Sequence, residues 1–328
     1  MPDQFSNTQQ IRKPAVTSKG GIVAAQSRQA AEVGAKVLAA GGDCVDAVIA
    51  ITFALGVLEP WMSGLGGGGA MVLYRAREDR YEVIDYGMRA PSRLRVEDYP
   101  LTGAGAASDL FPWARVKDDR NLHGPGSIAV PGVVAGMEEA HRRHARLPWK
   151  ELVEPSIVLA GEGLLVDWWT TLMIASSAAD LRRYPASATA YLQDGLPPSA
   201  PWGINGSVRL PQAHLKATMT QLAASGPRDF YEGDLARSIA ADIRADGGAL
   251  SVDDLASFRA HLREPLAIAY RGGTVFATPE LTAGPTMAHT LRLLQQNLQP
   301  ARGGPDAAAY TAYRAAIGLS RTPAGHGR

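Results

Sequence analysis

Gly64, Gly66 and Gly69 stand in the G-x-G-x-x-G spacing that can cradle a dinucleotide pyrophosphate, and Asp85 follows where a ribose-binding acid would lie. That chemistry needs a strand before the glycines and a helix after them, so that phosphate meets a helix N-terminus. Here an apolar helical run precedes them and the strand-like Ala70-Met71-Val72-Leu73-Tyr74 follows. The order is wrong for a dinucleotide, and the glycines are read as structural, letting helix and strand pack closely beneath a pocket. Cys44, the single cysteine, could serve as a nucleophile, but no histidine is near it in sequence and it falls on the apolar helix. It is expected to be a small buried hydrophobe. His141 and His144 stand at i, i+3, yet a zinc site needs a third ligand, and Arg142 and Arg143 between them predict an exposed polar face. Asp98, Asp109, Asp118 and Asp119 are scattered among prolines and glycines without the spacing of an oxygen-ligand loop. They read as solvated acids, and no metal is expected. Trp168-Trp169 lacks the basic surround of a base-stacking platform and is read as core or interface packing.

The elements that must position these residues are most legible between Gly41 and Pro91. Asp43 can cap a helix in which Ala47, Val48, Ile51, Ala54 and Leu55 recur at helical spacing, and Glu59-Pro60 ends it. Gly41-Gly42 stops the helix before, which Ser27 opens after a short strand at Gly21–Ala25. Two strands follow the glycine loop. Residues 92–126 show no strong period and are read as a long loop. Ile128-Ala129-Val130 reads as a strand, Pro131-Gly132 launches a helix through His144, and a second runs from Trp149 to Gly163. After a surface excursion over 181–206 come amphipathic helices at 210–225 and 234–246, joined by a turn at 230–233. Ser251 with Asp254 resembles a capping box, residues 266–277 a hairpin across Arg271-Gly272-Gly273, and 286–299 and 305–317 two more helices.

The chain has 328 residues, a hydrophobic fraction of 46% and a formal net charge of +1, which supply a sizeable core and no electrostatic footprint for nucleic acid. Asp46 and Glu59 bound the longest apolar run, too short to span a bilayer, and the N-terminus has no continuous apolar segment of a secretory signal. A cytoplasmic protein is expected, with no internal disulfide because there is one cysteine.

The stretch GGDCVDAVIAITFALGVLEPWMSGLGGGGAMVLY with the closing Ala90-Pro91 resembles the opening of the γ-glutamyltranspeptidase (γ-glutamyltransferase) family. Three further blocks agree in the same order: IAVPGVVAGMEEAHRRHARLPWKELVEPSIVLAGEGLLV from Ile128, FYEGDLARSIAADIRADGGALSVDDLASFRAHLREPL from Phe230, and TPELTAGPTM from Thr278. Together they cover most of residues 20–300. The resemblance implies an α+β fold, the large-subunit part only of the αββα sandwich of N-terminal nucleophile hydrolases. It divides the chain into an arm at 1–20, a large-subunit region at 21–318 and a divergent tail at 319–328.

It implies a transferase/hydrolase acting on γ-glutamyl amides such as glutathione, with no cofactor. The attacking hydroxyl belongs to a threonine whose own α-amine, of ordinary pKa about 8, is the base. Backbone N–H groups hold the oxyanion, and water or an acceptor amine resolves the acyl-enzyme. The family carries that threonine at the start of a second, small subunit, in a Thr-Thr-His-like motif. This chain has none: the surroundings of Thr322 do not match. No catalytic residue is therefore assigned to it. A heterodimer with a small subunit is expected, the isolated chain being inactive, and a separately encoded partner or a truncated gene would explain the pattern. The family's Arg-Glu pair before Ala-Pro binds the donor's α-carboxylate, but Gly87 and Met88 occupy those positions. Arg89 shares a face with Gly87 if the strand continues, and is the candidate substrate-binding residue. A purely structural arginine is the alternative. For the whole chain, a related amide acylase subunit or an inactive remnant is the alternative. Pro279–Met287 is assigned no role.

Overall fold

The computed structural model describes residues 15–106, 113–199, 207–297 and 307–321. Helix α1 (Arg28–Ala39) ends because Gly41 takes a φ of 94°, which turns the N–H groups of Gly41 and Gly42 back onto the carbonyls of Leu38 and Val37. Helix α2 (Cys44–Leu58) opens on a reciprocal box: Asp43 accepts from the N–H of Val45 and Asp46, and Asp46 accepts from that of Asp43. Most of α2 is buried, with Ala47, Ile51 and Ala54 in the core. Cys44 corrects the sequence reading: it is the first residue of α2 and is exposed. Val48, one turn on, is exposed as well.

Strands β1 (Gly69–Arg75) and β2 (Arg80–Tyr86) form an antiparallel hairpin that sets Met71 opposite Ile84. The stretch read as an irregular loop contains a second hairpin, β3 (Leu101–Ala106) with β4 (Ala114–Val116). Then come α3 (Val133–His144), α4 (Trp149–Glu162), β5 (Leu164–Leu165), α5 (Trp168–Ser176), α6 (Ala178–Leu181) and α7 (Pro185–Tyr191). Strand β6 (Arg209–Leu210) pairs with β5. It is followed by α8 (Ala213–Ser225), α9 (Asp229–Glu232), α10 (Asp234–Ala245) and α11 (Val252–Ser257), the last opened by the Ser251–Asp254 box. Strand β7 (His261–Arg263) joins β2 as the third strand of the first sheet. Strands β8 (Leu266–Tyr270) and β9 (Gly273–Ala277) close a tight hairpin in which Arg271 and Gly272 both take positive φ. Helices α12 (Gly284–Asn297) and α13 (Ala307–Arg321) end the described chain. Residues 21–25, expected as a strand, belong to none, and of 128–130 only Val130 pairs, with Arg89.

Four layers result. Met71, Leu73 and Ile84 bury one face of the first sheet in the main core with α2, α3 and α4. On the opposite face the ring of Tyr81 stacks on Phe276 of β9, centroids 3.6 Å apart. The other side of the β8–β9 hairpin, Ile268 and Ala277, packs on Ala288 of α12. The order is helix, sheet, sheet, helix.

Helix α3 matters most to the site, and its first turn is capped from afar. Gly132 has no side chain to offer, so the Gly67 carbonyl accepts from the N–H of Gly132 and Val133, at 2.8 and 3.1 Å. The Tyr231 hydroxyl accepts from Ala135 N–H and donates to the Pro131 carbonyl, both at 3.0 Å. Burial pushes the Tyr231 phenol well above its usual range. Tyr231→Phe should cost about 1–3 kcal/mol at neutral pH, since it orphans a buried N–H. The sign follows from a folded pKa above the unfolded value of about 10: the contribution is complete below that pH and is lost as pH rises past it. Urea unfolding at neutral and alkaline pH should therefore show the wild type losing stability that the variant does not; parallel curves would contradict this.

Candidate active site

Where β2 ends, the chain is set by two glycines of the α3 segment. A Cβ on Gly132 would overlap the Tyr86 carbonyl, and one on Gly136 would overlap the Tyr86 ring. Only with both absent can α3 lie flush against Tyr86, whose phenol is pushed up by burial. The strand then breaks. The Gly87 N–H turns to the Asp85 carboxylate at 3.0 Å, and Arg89 re-pairs with Val130, its carbonyl accepting at 2.8 Å. The strand therefore does not continue through Gly87 to Arg89, the condition under which the two would share a face. Both residues nonetheless line one cavity of about 630 Å³, together with Gly68 and Gly69 of the glycine loop. A Cβ on Gly68 would stand 2.8 Å from the backbone of Met88, so this close approach is what the loop's glycines permit.

The cavity is rich in basic groups: Arg89, Arg259, His261 and Arg263 all line it. Arg263 is neutralised by Glu280 at 3.0 Å and Asp85 at 3.6 Å. Arg259 meets Glu232 at 3.0 Å, and Glu232 in turn pairs with Arg228, which reaches Glu138 at 3.3 Å. Burial holds the Glu138 carboxyl above its usual range, with Arg228 opposing it. Arg89 is different. Its guanidinium lies 5.1 Å over the Phe258 ring, donates to the Arg259 carbonyl at 3.4 Å and contacts Nε2 of His261. Among the described residues no carboxylate pairs with it. A planar donor fork beside two other basic side chains, in an open cavity, is arranged to accept an anion.

The sequence reading missed Arg259, His261, Arg263 and Glu280. The first three alternate as Arg-x-His-x-Arg, the period that puts side chains on one face of an extended segment, and this signal was available. Glu280 to Thr282, to which no role was given, also line the cavity.

The remaining candidates lie elsewhere. His141 and His144 do not form an exposed face: His141 meets the Leu147 carbonyl at 2.9 Å and the Trp149 ring edge-on, while His144 pairs with Glu82 of β2 and is nearly buried. Asp98 and Asp119 pair with Arg95 and Arg115 at 2.8 and 3.2 Å. Asp109 and Thr322 lie outside the described residues. Trp168 is 72% exposed, so it is no core residue, and Trp169 meets it edge to face.

A family model described as Gamma-glutamyltranspeptidase matches residues 30–316. The Acylase ACY 1 proenzyme of Pseudomonas sp. (strain V22) is 34% identical over 285 residues, 87% of this chain and 49% of that protein. The glutathione hydrolase proenzyme of Pseudomonas aeruginosa is 32% identical over 272 residues, 82% of this chain and 44% of that protein. The chain spans about half the length of the curated relatives it matches. In fold it is similar to Helicobacter pylori gamma-glutamyltranspeptidase, with a TM-score of 0.83 at 24% identity over 94% of this chain and 84% of that one. It is also similar to cephalosporin acylase from Bacillus halodurans, with a TM-score of 0.80 at 26% identity over 98% of this chain and 57% of that one. The four layers are accordingly the large-subunit share of the αββα sandwich of N-terminal nucleophile hydrolases.

Proposed function

The chain belongs to the gamma-glutamyltranspeptidase family, and we propose that it is the large-subunit portion of a γ-glutamyltransferase or γ-glutamyl hydrolase. The threonine hydroxyl of a small subunit attacks the amide carbonyl while its α-amine takes the hydroxyl proton and passes it to the amine that leaves as the C–N bond breaks, and the acyl-enzyme is then resolved by water or an acceptor amine. This chain's part is to hold the donor. Arg89 binds the α-carboxylate and leaves the γ-amide free to reach the threonine. One observation carries this reading: among the described residues Arg89 has no carboxylate partner, in a cavity whose other arginines have theirs. Support for a two-part enzyme comes from relatives that are nearly twice as long and named proenzymes.

A second reading has its own observation. Gly87 and Met88 stand where the family pattern has Arg-Glu, and proteins named acylases are among the relatives at 34 and 35% identity. An amide acylase subunit would keep the fold and change the acyl group. Co-production with a threonine-bearing small subunit, assayed on a chromogenic γ-glutamyl anilide, separates the two. Turnover by the pair and not by this chain alone is expected. A pair that cleaves only non-glutamyl acyl anilides would establish the acylase reading instead.

A further inference from the structure

The segment carrying Met88 and Arg89 is a wall shared by two clefts. One is the cationic cavity. The other, of about 420 Å³, is lined by Pro91, Leu94, Val96, Tyr99 and Ile128, with Met88 and Arg89 common to both. Its character is apolar: Val96 is 78% exposed, and Met88 and Ile128 are exposed beside it. The Tyr99 hydroxyl is engaged by the Gly126 carbonyl at 2.6 Å, which ties the two sides of the cleft together. The wall itself is fixed by the Arg89–Val130 bridge and by Ser92 N–H donating to the buried Asp254 at 2.9 Å.

We propose that this cleft is a second subsite, which receives the amine portion of the amide substrate. The favoured substrate class is then an acyl amide with a carboxylate for Arg89 and an aliphatic chain or aromatic ring on its amine. Continuity carries the assignment, since a molecule anchored at Arg89 needs only to pass Met88 to enter the apolar cleft. An acid at position 88 would put charge on the rim of both clefts, whereas methionine leaves the rim apolar and its unbranched thioether adapts to varied shapes. Exposed apolar side chains grouped around a cleft are the surface that such a group would cover. The inference rests on the carboxylate role of Arg89.

The test is a titration of the full chain, carrying 13C-methyl methionine and isoleucine, with glutamate, γ-glutamyl-methylamide and γ-glutamyl-hexylamide. All three should move the Met88 methyl. Only the hexylamide should move the Ile128 δ-methyl, and it should bind about tenfold more tightly than the methylamide, the gain from burying two or so of its added methylenes. Val96→Asn, polar but uncharged at an exposed position, should abolish that gain and leave glutamate and methylamide binding unchanged. Equal affinity of the two amides, a silent Ile128, or a gain that survives Val96→Asn overturns the apolar subsite while the role of Arg89 stands. Failure of glutamate to bind and to move Met88 overturns the role of Arg89, and this inference with it.

Discussion

Arg89→Ala should weaken binding of a γ-glutamyl donor about a hundredfold, roughly 2–3 kcal/mol, in a complex containing the small subunit. A hydrogen-bonded pair of charges that loses one partner typically costs that much, and here the orphaned partner is the ligand's carboxylate. The fold should hardly notice. Arg89 is exposed, and its stacking on Phe258 is a contact of about 0.5–1 kcal/mol. Arg89→Lys restores the charge without the planar fork and should recover only part of the affinity. Calorimetric titration with the donor, alongside thermal melts of both variants, separates loss of binding from loss of structure. Unchanged donor affinity in Arg89→Ala would remove the residue from the site.

What the sequence made legible here is what neighbouring residues decide among themselves. Asp43, Ser251 and Gly41 act on backbone groups within a turn of their own positions, and each does what its residue type predicts. The orientation of α2 was harder, because in a helix apolar on nearly every side a stripe at helical spacing can take in residues that face out, as Val48 does. Thr52 was the clue: Cys44, Val48 and Thr52 are successive i, i+4 positions, and the one polar member marks the stripe that leaves the core. Arg89 was found as a residue but not as a geometry. The break after Tyr86 comes where Gly132 and Gly136 let α3 close on that residue, and at residues 85–89 Gly87 is the one local signal of it. His144 likewise finds Glu82 across the interface between α3 and the sheet, where flanking arginines in sequence say nothing. The glycine-poor alternation expected of strands is missing from Leu101–Ala106, so the β3–β4 hairpin was invisible.

Asp46→Ala should be among the most damaging single changes, costing about 3–5 kcal/mol. The side chain is fully buried, and its carboxylate accepts from three backbone donors: Asp43 at 2.8 Å, Arg146 at 3.1 Å and Leu147 at 3.2 Å. The last two belong to the connection between α3 and α4, so one residue pins the start of α2 to the end of α3. Alanine would leave three N–H groups in a site where water must enter or the connection must move, at about 1–3 kcal/mol for each group left unsatisfied, less whatever relaxation recovers. Asp46→Asn keeps the shape and one acceptor oxygen but turns donors toward donors, and should fall between the two. Cys44→Ala, on the exposed stripe of the same first turn, should be nearly neutral and serves as the control for helix start. Urea unfolding midpoints at constant slope give the comparison. The consequence reaches the site because α3 is also the surface against which Tyr86 rests, and Tyr86 fixes where Arg89 begins. If Asp46→Ala unfolds within about 0.5 kcal/mol of the wild type, the three bonds do not hold α3, and another contact must set the position of the Arg89 wall.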